Sequence, residues 1–209
     1  SGWRISARRF HCCKAPPRSE ACYCRENGHC MGIRHCMGPA ITILRKERNA
    51  GMRVGILSDT HGLLRSEVKE VLRTCDVILH GGDINRETII KELEELAPLH
   101  VVRGNNDKEW AEGMPEELSF SLEGVSFYMI HNKKEASPEA VSDADVVLYG
   151  HSHRYDERII DGTLWLNPGS CGPRRFHQPI TMAVMTLEGG TYQVEKLEFA
   201  HEKKGGEDQ

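Results

Sequence analysis

From residue 52 onward, short apolar runs alternate with amphipathic stretches at close spacing. MRVGILS (52–58) is an apolar run of strand length that ends in polar residues, the pattern of a buried strand. SEVKEVLRT (66–74) follows, with Ser66 as the expected cap and Val68, Val71 and Leu72 on one helical face. DVILHG (76–81) predicts the next strand. RETIIKELEEL (86–96) predicts an amphipathic helix with Ile89, Ile90, Leu93 and Leu96 inward, and LHVVRG (99–104) a third strand. Strand and helix alternating in this way imply a parallel sheet with right-handed crossovers.

The second half changes character. LSFSLEGVSFYMIH (118–131) predicts a hairpin turning at Glu123-Gly124, and a short helix (137–143) leads to the strand DVVLYG (145–150). RYDERIIDGTLWLN (154–167) predicts a hairpin around Asp161-Gly162, and TMAVMTLEGGTYQVEKLEF (181–199) another at Gly189-Gly190. The expected architecture is α/β with antiparallel pairs, two sheets packed as a sandwich with helices outside.

Composition divides the chain at this same boundary. Residues 1–51 hold ten Lys/Arg against three Asp/Glu, and residues 52–209 hold 17 against 28, so a net charge of −4 conceals a basic segment joined to an acidic one. The first segment also carries six of the eight cysteines (Cys12, Cys13, Cys22, Cys24, Cys30 and Cys36), repeats HCMG at 29 and 35, and lacks helical or strand periodicity. It reads as a leader, disordered or foreign to the domain that follows. A metal-binding appendage is the alternative, although paired C-x₂-C spacing is missing. Cys75 and Cys171 lie far apart and read as reduced thiols of a cytoplasmic protein. No apolar run approaches the roughly 20 residues of a membrane span, so no membrane role is expected. The acidic balance of 52–209 offers no broad basic surface for long nucleic acid.

The polar residues that remain concentrate where the predicted strands end, the place where α/β sheets gather reactive groups. The first strand is followed by Asp59-Thr60-His61, the second by Gly81-Gly82-Asp83, and the third by Gly104-Asn105-Asn106-Asp107. Later come His131 and then Gly150-His151-Ser152-His153. Turn chemistry accounts for Gly, Asn and Asp, but not for four histidines. A mixture of imidazole, carboxylate and amide oxygen suits borderline divalent ions such as Mn²⁺, Fe²⁺ or Zn²⁺. Seven ligands exceed one ion's needs and fit two ions about 3.5–4 Å apart that share a carboxylate, the clamp used in phosphoryl displacement.

D-x-H, G-D, G-N-x-D, H and G-H-x-H in this order resemble the calcineurin-like metallophosphoesterases, and the short length with the NPGS run (167–170) is similar to their small single-domain phosphodiesterase branch. The resemblance spans 52–209 and does not reach residues 1–51. It implies a four-layer α/β/β/α sandwich of two mixed sheets. It also implies a first ion on Asp59, His61, Asp83 and His153, with Asp83 bridging to a second completed by Asn105, His131 and His151. Asp107 enters the catalytic group as support for its loop, and Asn106 as the residue facing substrate. The implied cofactors are two divalent ions, Mn²⁺ first, with Fe²⁺, Zn²⁺ or Ni²⁺ as alternatives. The implied reaction is attack of a metal-bridging hydroxide on a small phosphodiester.

Two departures from the family pattern bear on this. Many members carry His where this chain has Asn106, and an amide cannot give up a proton near neutral pH. Esters with good leaving groups, and diesters over monoesters, are therefore expected. Asn132 stands where Gly is usual and is expected to tolerate a left-handed turn. His80 reads as a packed strand residue, and Asn167-Pro168-Gly169-Ser170 as a structural turn near the site. The competing readings are a protein-binding scaffold of the same fold, as one retromer subunit related to this branch is thought to be, and a nuclease or cyclic-nucleotide diesterase. A homo-oligomer stays open.

Overall fold

The structure, a computed structural model, describes residues 51–175 and 177–200; the basic Cys-rich leader and the polar tail lie outside the described residues. The first sheet is built from β1 (Met52–Leu57), β2 (Val77–His80), β3 (Leu99–Val101), β9 (Ile180–Glu188) and β10 (Thr191–Phe199), in the order β10-β9-β1-β2-β3. The second contains β4 (Glu117–Leu122), β5 (Val125–Ile130), β6 (Val146–Leu148), β7 (Tyr155–Ile160) and β8 (Thr163–Pro168), in the order β4-β5-β6-β8-β7. Each mixes parallel and antiparallel pairs: β1 runs parallel to β2 and antiparallel to β9, and β6 runs parallel to both β5 and β8.

Strand periodicity separates three hydrophobic layers. Val54 and Ile56 point from β1 into the space between the sheets, where they join Phe127, Met129, Val146, Leu148 and Met185. Leu57 and Ile78 point the opposite way, against Val68 and Leu72 of α1 (Ser66–Leu72) and Ile89, Ile90 and Leu93 of α2 (Glu87–Glu94). On the far face of the second sheet, Tyr128, Ile130 and Val147 pack under α3 (Pro138–Ser142). The result is the expected α/β/β/α sandwich. Among the described residues no helix is long and apolar enough to cross a membrane.

Three hairpins turn where the sequence placed them. Glu123-Gly124 (φ 47° and 84°), Asp161-Gly162 (51° and 90°) and Gly189-Gly190 (56° and 81°) each hold two consecutive left-handed residues, the turn whose twist matches that of paired strands. Two local expectations are corrected. Ser66 is the first helical residue of α1 and not its cap: Arg65 occupies that position without a side-chain bond to the helix, and the Ser66 hydroxyl donates to Glu67 instead. Asn132 has φ −108°, so no left-handed turn forms there; its Oδ1 accepts from the Lys134 N–H and starts a 3₁₀ turn over Lys133–Glu135.

Candidate metal centre

The loops after β1 and β2 each enter left-handed backbone two residues past the strand, at Asp59 and at Gly82. Asp59 (φ 55°), His61 (44°), Asp83 (58°), His151 (69°) and His153 (56°) all adopt this conformation, so five of the seven expected ligands sit in backbone that costs L residues free energy. Backbone bonds link the loops: Asp59 N–H donates to Gly82 O at 3.0 Å, His61 N–H to Asp83 O at 2.9 Å, and Gly150 N–H to His131 O at 3.0 Å. Glycine is required where the loops touch. A Cβ at Gly104 would strike the Asp83 backbone and carboxylate, and one at Gly150 would strike Ser58 Oγ and, at 2.8 Å, Asp59 Oδ2.

These loops bring Asp59, His61, Asp83 and His153 together, with one ligand atom from each inside a span of 4.8 Å. His61 Nε2 lies 3.2 Å from His153 Nε2 and 3.7 Å from Asp83 Oδ2, and His153 Nε2 lies 3.4 Å from Asp59 Oδ1. Asp83 turns its other oxygen elsewhere, Oδ1 standing 3.4 Å from His131 Nε2. His131 in turn meets the His151 ring edge-on at 5.4 Å, and His151 Nδ1 lies 2.9 Å from Asn105 Oδ1. All seven expected ligand positions therefore fall in one continuous cluster, with Asp83 between its two halves.

Both carboxylate oxygens of Asp59 and the Nε2 of His131 are buried without a hydrogen-bond partner among the described residues. Buried acceptors without a donor are costly, and a divalent cation removes that cost. His131 is set for this: its Nδ1–H donates to Gly81 O at 2.7 Å, which leaves the Nε2 lone pair facing the cluster. Burial pushes the Asp59 carboxyl up to about 7. Burial lowers His153 to about 4, with the His61 and Arg175 charges acting the same way, so its ring is neutral and able to ligate at neutral pH. For Asp83, burial acts upward, yet the His131 ring 3.4 Å away and two bonds from Asn106 hold the carboxyl well below its usual range. The residues present fit divalent metal ions.

The positions around the cluster hold the ligands in place. Asp107 accepts the N–H groups of Ile84 (2.8 Å), Asn85 (2.6 Å) and Gly104 (2.9 Å), tying the Asp83 loop to the Asn105 loop. Asn106 points its amide at Asp83: Nδ2–H donates to Oδ2 at 2.6 Å and the backbone N–H to Oδ1 at 2.8 Å. Asn85, which the pattern of strand ends does not single out, lies 3.2 Å from His61 Nδ1 and fixes that ring. Its left-handed φ of 67°, two residues past a ligand, matches the usual tolerance of Asn for such backbone but carries no sequence signal of its own. Asn167 donates to Gly150 O at 2.7 Å, and Ser170 donates to Asp59 O at 2.9 Å, so the NPGS run braces both one-residue-gap loops.

His80 is fully buried, and its protonation is fixed by its neighbours. Gly82 N–H donates to Nδ1 at 3.1 Å, so Nε2 carries the proton toward Thr60 Oγ1 at 3.0 Å. Burial holds its pKa at about 3, below the ordinary 6.5. Because the unfolded chain takes up a proton that the folded chain refuses, stability should fall as pH drops from 6.5 toward 3, by up to about 1.4 kcal/mol per pH unit from this residue. His80→Gln, which keeps a donor toward Thr60, should flatten the acid limb of a urea-midpoint profile. An unchanged limb would contradict the assignment.

Comparison with known proteins agrees with this geometry. The calcineurin-like phosphoesterase superfamily domain matches residues 52–190. A probable metallophosphoesterase of Methanothermobacter thermautotrophicus is 33% identical over 153 residues, covering 66% of this chain and 87% of its own. The solved structure of an archaeal phosphodiesterase is similar at a TM-score of 0.60 and 27% identity, over 70% of this chain and all of that one. Vacuolar protein sorting 29 of Cryptosporidium parvum is similar in fold at a TM-score of 0.59 and 20% identity, over 73% of this chain and all of its own. With two mixed sheets, five strand ends that carry the candidate ligands and a matched span that contains every one of them, the chain belongs to the calcineurin-like phosphoesterase superfamily.

Proposed function

We propose that the chain is a dinuclear metal-dependent phosphodiesterase acting on small phosphodiesters. The observation that supports it most is the division of Asp83, with Oδ2 toward His61 and Oδ1 toward His131. Asp59, His61, Asp83 and His153 would hold one ion; Asp83, Asn105, His131 and His151 would hold the other. Bound divalent ions, Mn²⁺ first with Fe²⁺, Zn²⁺ or Ni²⁺ as alternatives, would activate water and stabilise charge on the phosphoryl oxygens.

The chain's own residues supply orientation. The Gly81 carbonyl aims His131, Asn85 holds His61, and Asp107 locks two ligand loops to each other. Asn106 bonds Asp83 and can donate to a phosphoryl oxygen, but it has no proton to give a leaving alkoxide. That favours diesters with good leaving groups. The scaffold reading has weaker support: the likeness to Vps29 is one of fold, and all seven ligand positions here carry metal-capable side chains.

The full chain loaded with Mn²⁺ should cleave bis-p-nitrophenyl phosphate faster than p-nitrophenyl phosphate. A faster monoester rate would overturn the diesterase reading, and an inactive loaded protein would overturn the enzyme reading.

A further inference from the structure

The arginines fall into two groups. Among the nine described, Arg73, Arg103 and Arg158 pair with carboxylates, and Arg53, Arg65 and Arg174 donate to neutral oxygens. Arg86, Arg154 and Arg175 are exposed and make no side-chain hydrogen bond or ion pair among the described residues. Residues 52–209 hold 28 Asp/Glu against 17 Lys/Arg, so carboxylates are plentiful and three unpaired guanidiniums call for a reason. Arg154 follows His153 directly in the chain. Arg86 and Arg175 border the His61 end of the metal cluster in space.

Gly62 places Arg86. The Arg86 stem crosses that glycine so closely that a Cβ there would stand 2.9 Å from Nε and 3.1 Å from Cδ. Gly62 is the residue after His61, and its N–H donates to Ile84 O at 2.7 Å, tying the two loops at this point. The segment before Arg175 places that residue. Ser170 Oγ–H donates to Asp59 O at 2.9 Å, and a Cβ at Gly172 would strike the Asp59 and Thr60 carbonyl oxygens. Residues 170–172 therefore lie against the backbone that leads into His61. Gln178 N–H donates to Arg175 O at 2.9 Å, and Arg174 donates to Gln178 O at 3.3 Å, closing the turn that carries Arg175. The His61 and His153 rings stack at 4.9 Å. Burial and then the Arg175 charge lower the His61 pKa, and burial, His61 and Arg175 lower that of His153, so this guanidinium bears on both rings. Yet neither Arg86 nor Arg175 bonds the Asp59 or Asp83 carboxylate, and both Asp59 oxygens lack a hydrogen-bond partner. The two cations stand outside the ligand cluster, on its His61 side, and do not neutralise it.

We propose that Arg86 and Arg175 form a subsite for a second phosphate, so that the preferred substrate is a phosphodiester with a phosphate monoester on one of its substituents. This rests on the phosphodiesterase reading and names its substrate class. A phosphoryl group held at the cluster keeps its substituents outside it, and the one on the His61 side meets two unpaired guanidiniums. Each presents a planar fork of N–H donors that matches phosphate oxygens, and a phosphate monoester carries close to two negative charges at neutral pH. An uncharged substituent leaves both forks to water. Because both arginines are exposed, solvent screens the attraction and the gain is moderate.

The test uses the full, Mn²⁺-loaded chain with two diesters that share one leaving group: thymidine 5′-(p-nitrophenyl phosphate) and the same compound carrying a 3′-phosphate. The 3′-phosphorylated diester should be favoured about tenfold or more in kcat/KM, and the double variant Arg86→Gln/Arg175→Gln should bring the ratio to near unity. Arg175→Lys keeps the charge without the fork and should leave an intermediate ratio. A thermal melt reports folding of each variant. Calorimetry gives a readout apart from turnover: thymidine 3′,5′-bisphosphate should bind about tenfold more tightly than thymidine 5′-phosphate, and equally in the double variant. Cleavage of both diesters without preference, or a preference that survives the double variant, would overturn the inference alone. Failure to cleave any diester would instead overturn the phosphodiesterase reading. Calorimetry would then still decide the subsite, since equal binding of the two nucleotides by the unmodified protein rejects it.

Discussion

Asp83→Asn should lower kcat/KM on bis-p-nitrophenyl phosphate by on the order of 10³-fold or more, beyond the 10²–10³ that loss of one electrostatic stabiliser costs. The reason is geometric. Among the described residues Asp83 turns its two oxygens toward different histidines, 3.7 Å from His61 and 3.4 Å from His131, so neutralising it weakens both halves of the cluster at once. Asparagine also tolerates the left-handed backbone at this position, where φ is 58°, which separates loss of charge from loss of fold. Asp107→Asn provides the contrast. It keeps an acceptor for some of the three N–H groups that Asp107 binds and touches none of the ligand atoms, so its cost should be nearer 10–100-fold, the usual effect of a residue that orients ligands. If the Asp107 variant were the more damaging of the two, the bridging assignment of Asp83 would fail.

The second large effect is a gain. Asn106→His should raise turnover of monoesters with poor leaving groups, phenyl phosphate among them, by about 10²-fold or more, since positioned acid help is worth about 10²–10⁴. The gain should shrink for p-nitrophenyl phosphate, whose leaving group needs no proton. The backbone N–H of residue 106 would still donate to Asp83 Oδ1, as it does at 2.8 Å now, so the loop keeps its main tie. A Brønsted series over substituted phenyl phosphates measures this directly. An unchanged slope against leaving-group pKa would show that residue 106 does not limit proton delivery.

Much of this site can be read from the chain because strand ends and ligands coincide in sequence. Strands stop at Leu57, His80 and Ile130, and Asp59, Asp83 and His131, each within three residues of those ends, meet in space. The hairpins are equally legible, since Asp161-Gly162 and Gly189-Gly190 supply the paired left-handed residues that a two-residue turn demands. What the pattern misses is local and polar. Ser66 looks like a cap and is not one, because capping depends on where the helix starts by a single residue, and Ser66 falls just inside α1. Asn132 looks like a left-handed turn residue and instead caps a 3₁₀ turn with its side chain, a second use that the same amide supports equally well. Asn85 and the Asn167 brace join loops that are distant in sequence, a relation that spacing cannot encode.

The central claim is that one carboxylate joins two metal ions in this cluster. The most direct measurement counts the ions. The full chain, reconstituted with Mn²⁺, passed through gel filtration and analysed by inductively coupled plasma mass spectrometry, should retain close to two ions per chain, and Asp83→Asn about one or fewer. A stoichiometry of one or none in the unsubstituted protein, or two ions retained after Asp83 is neutralised, would contradict the account.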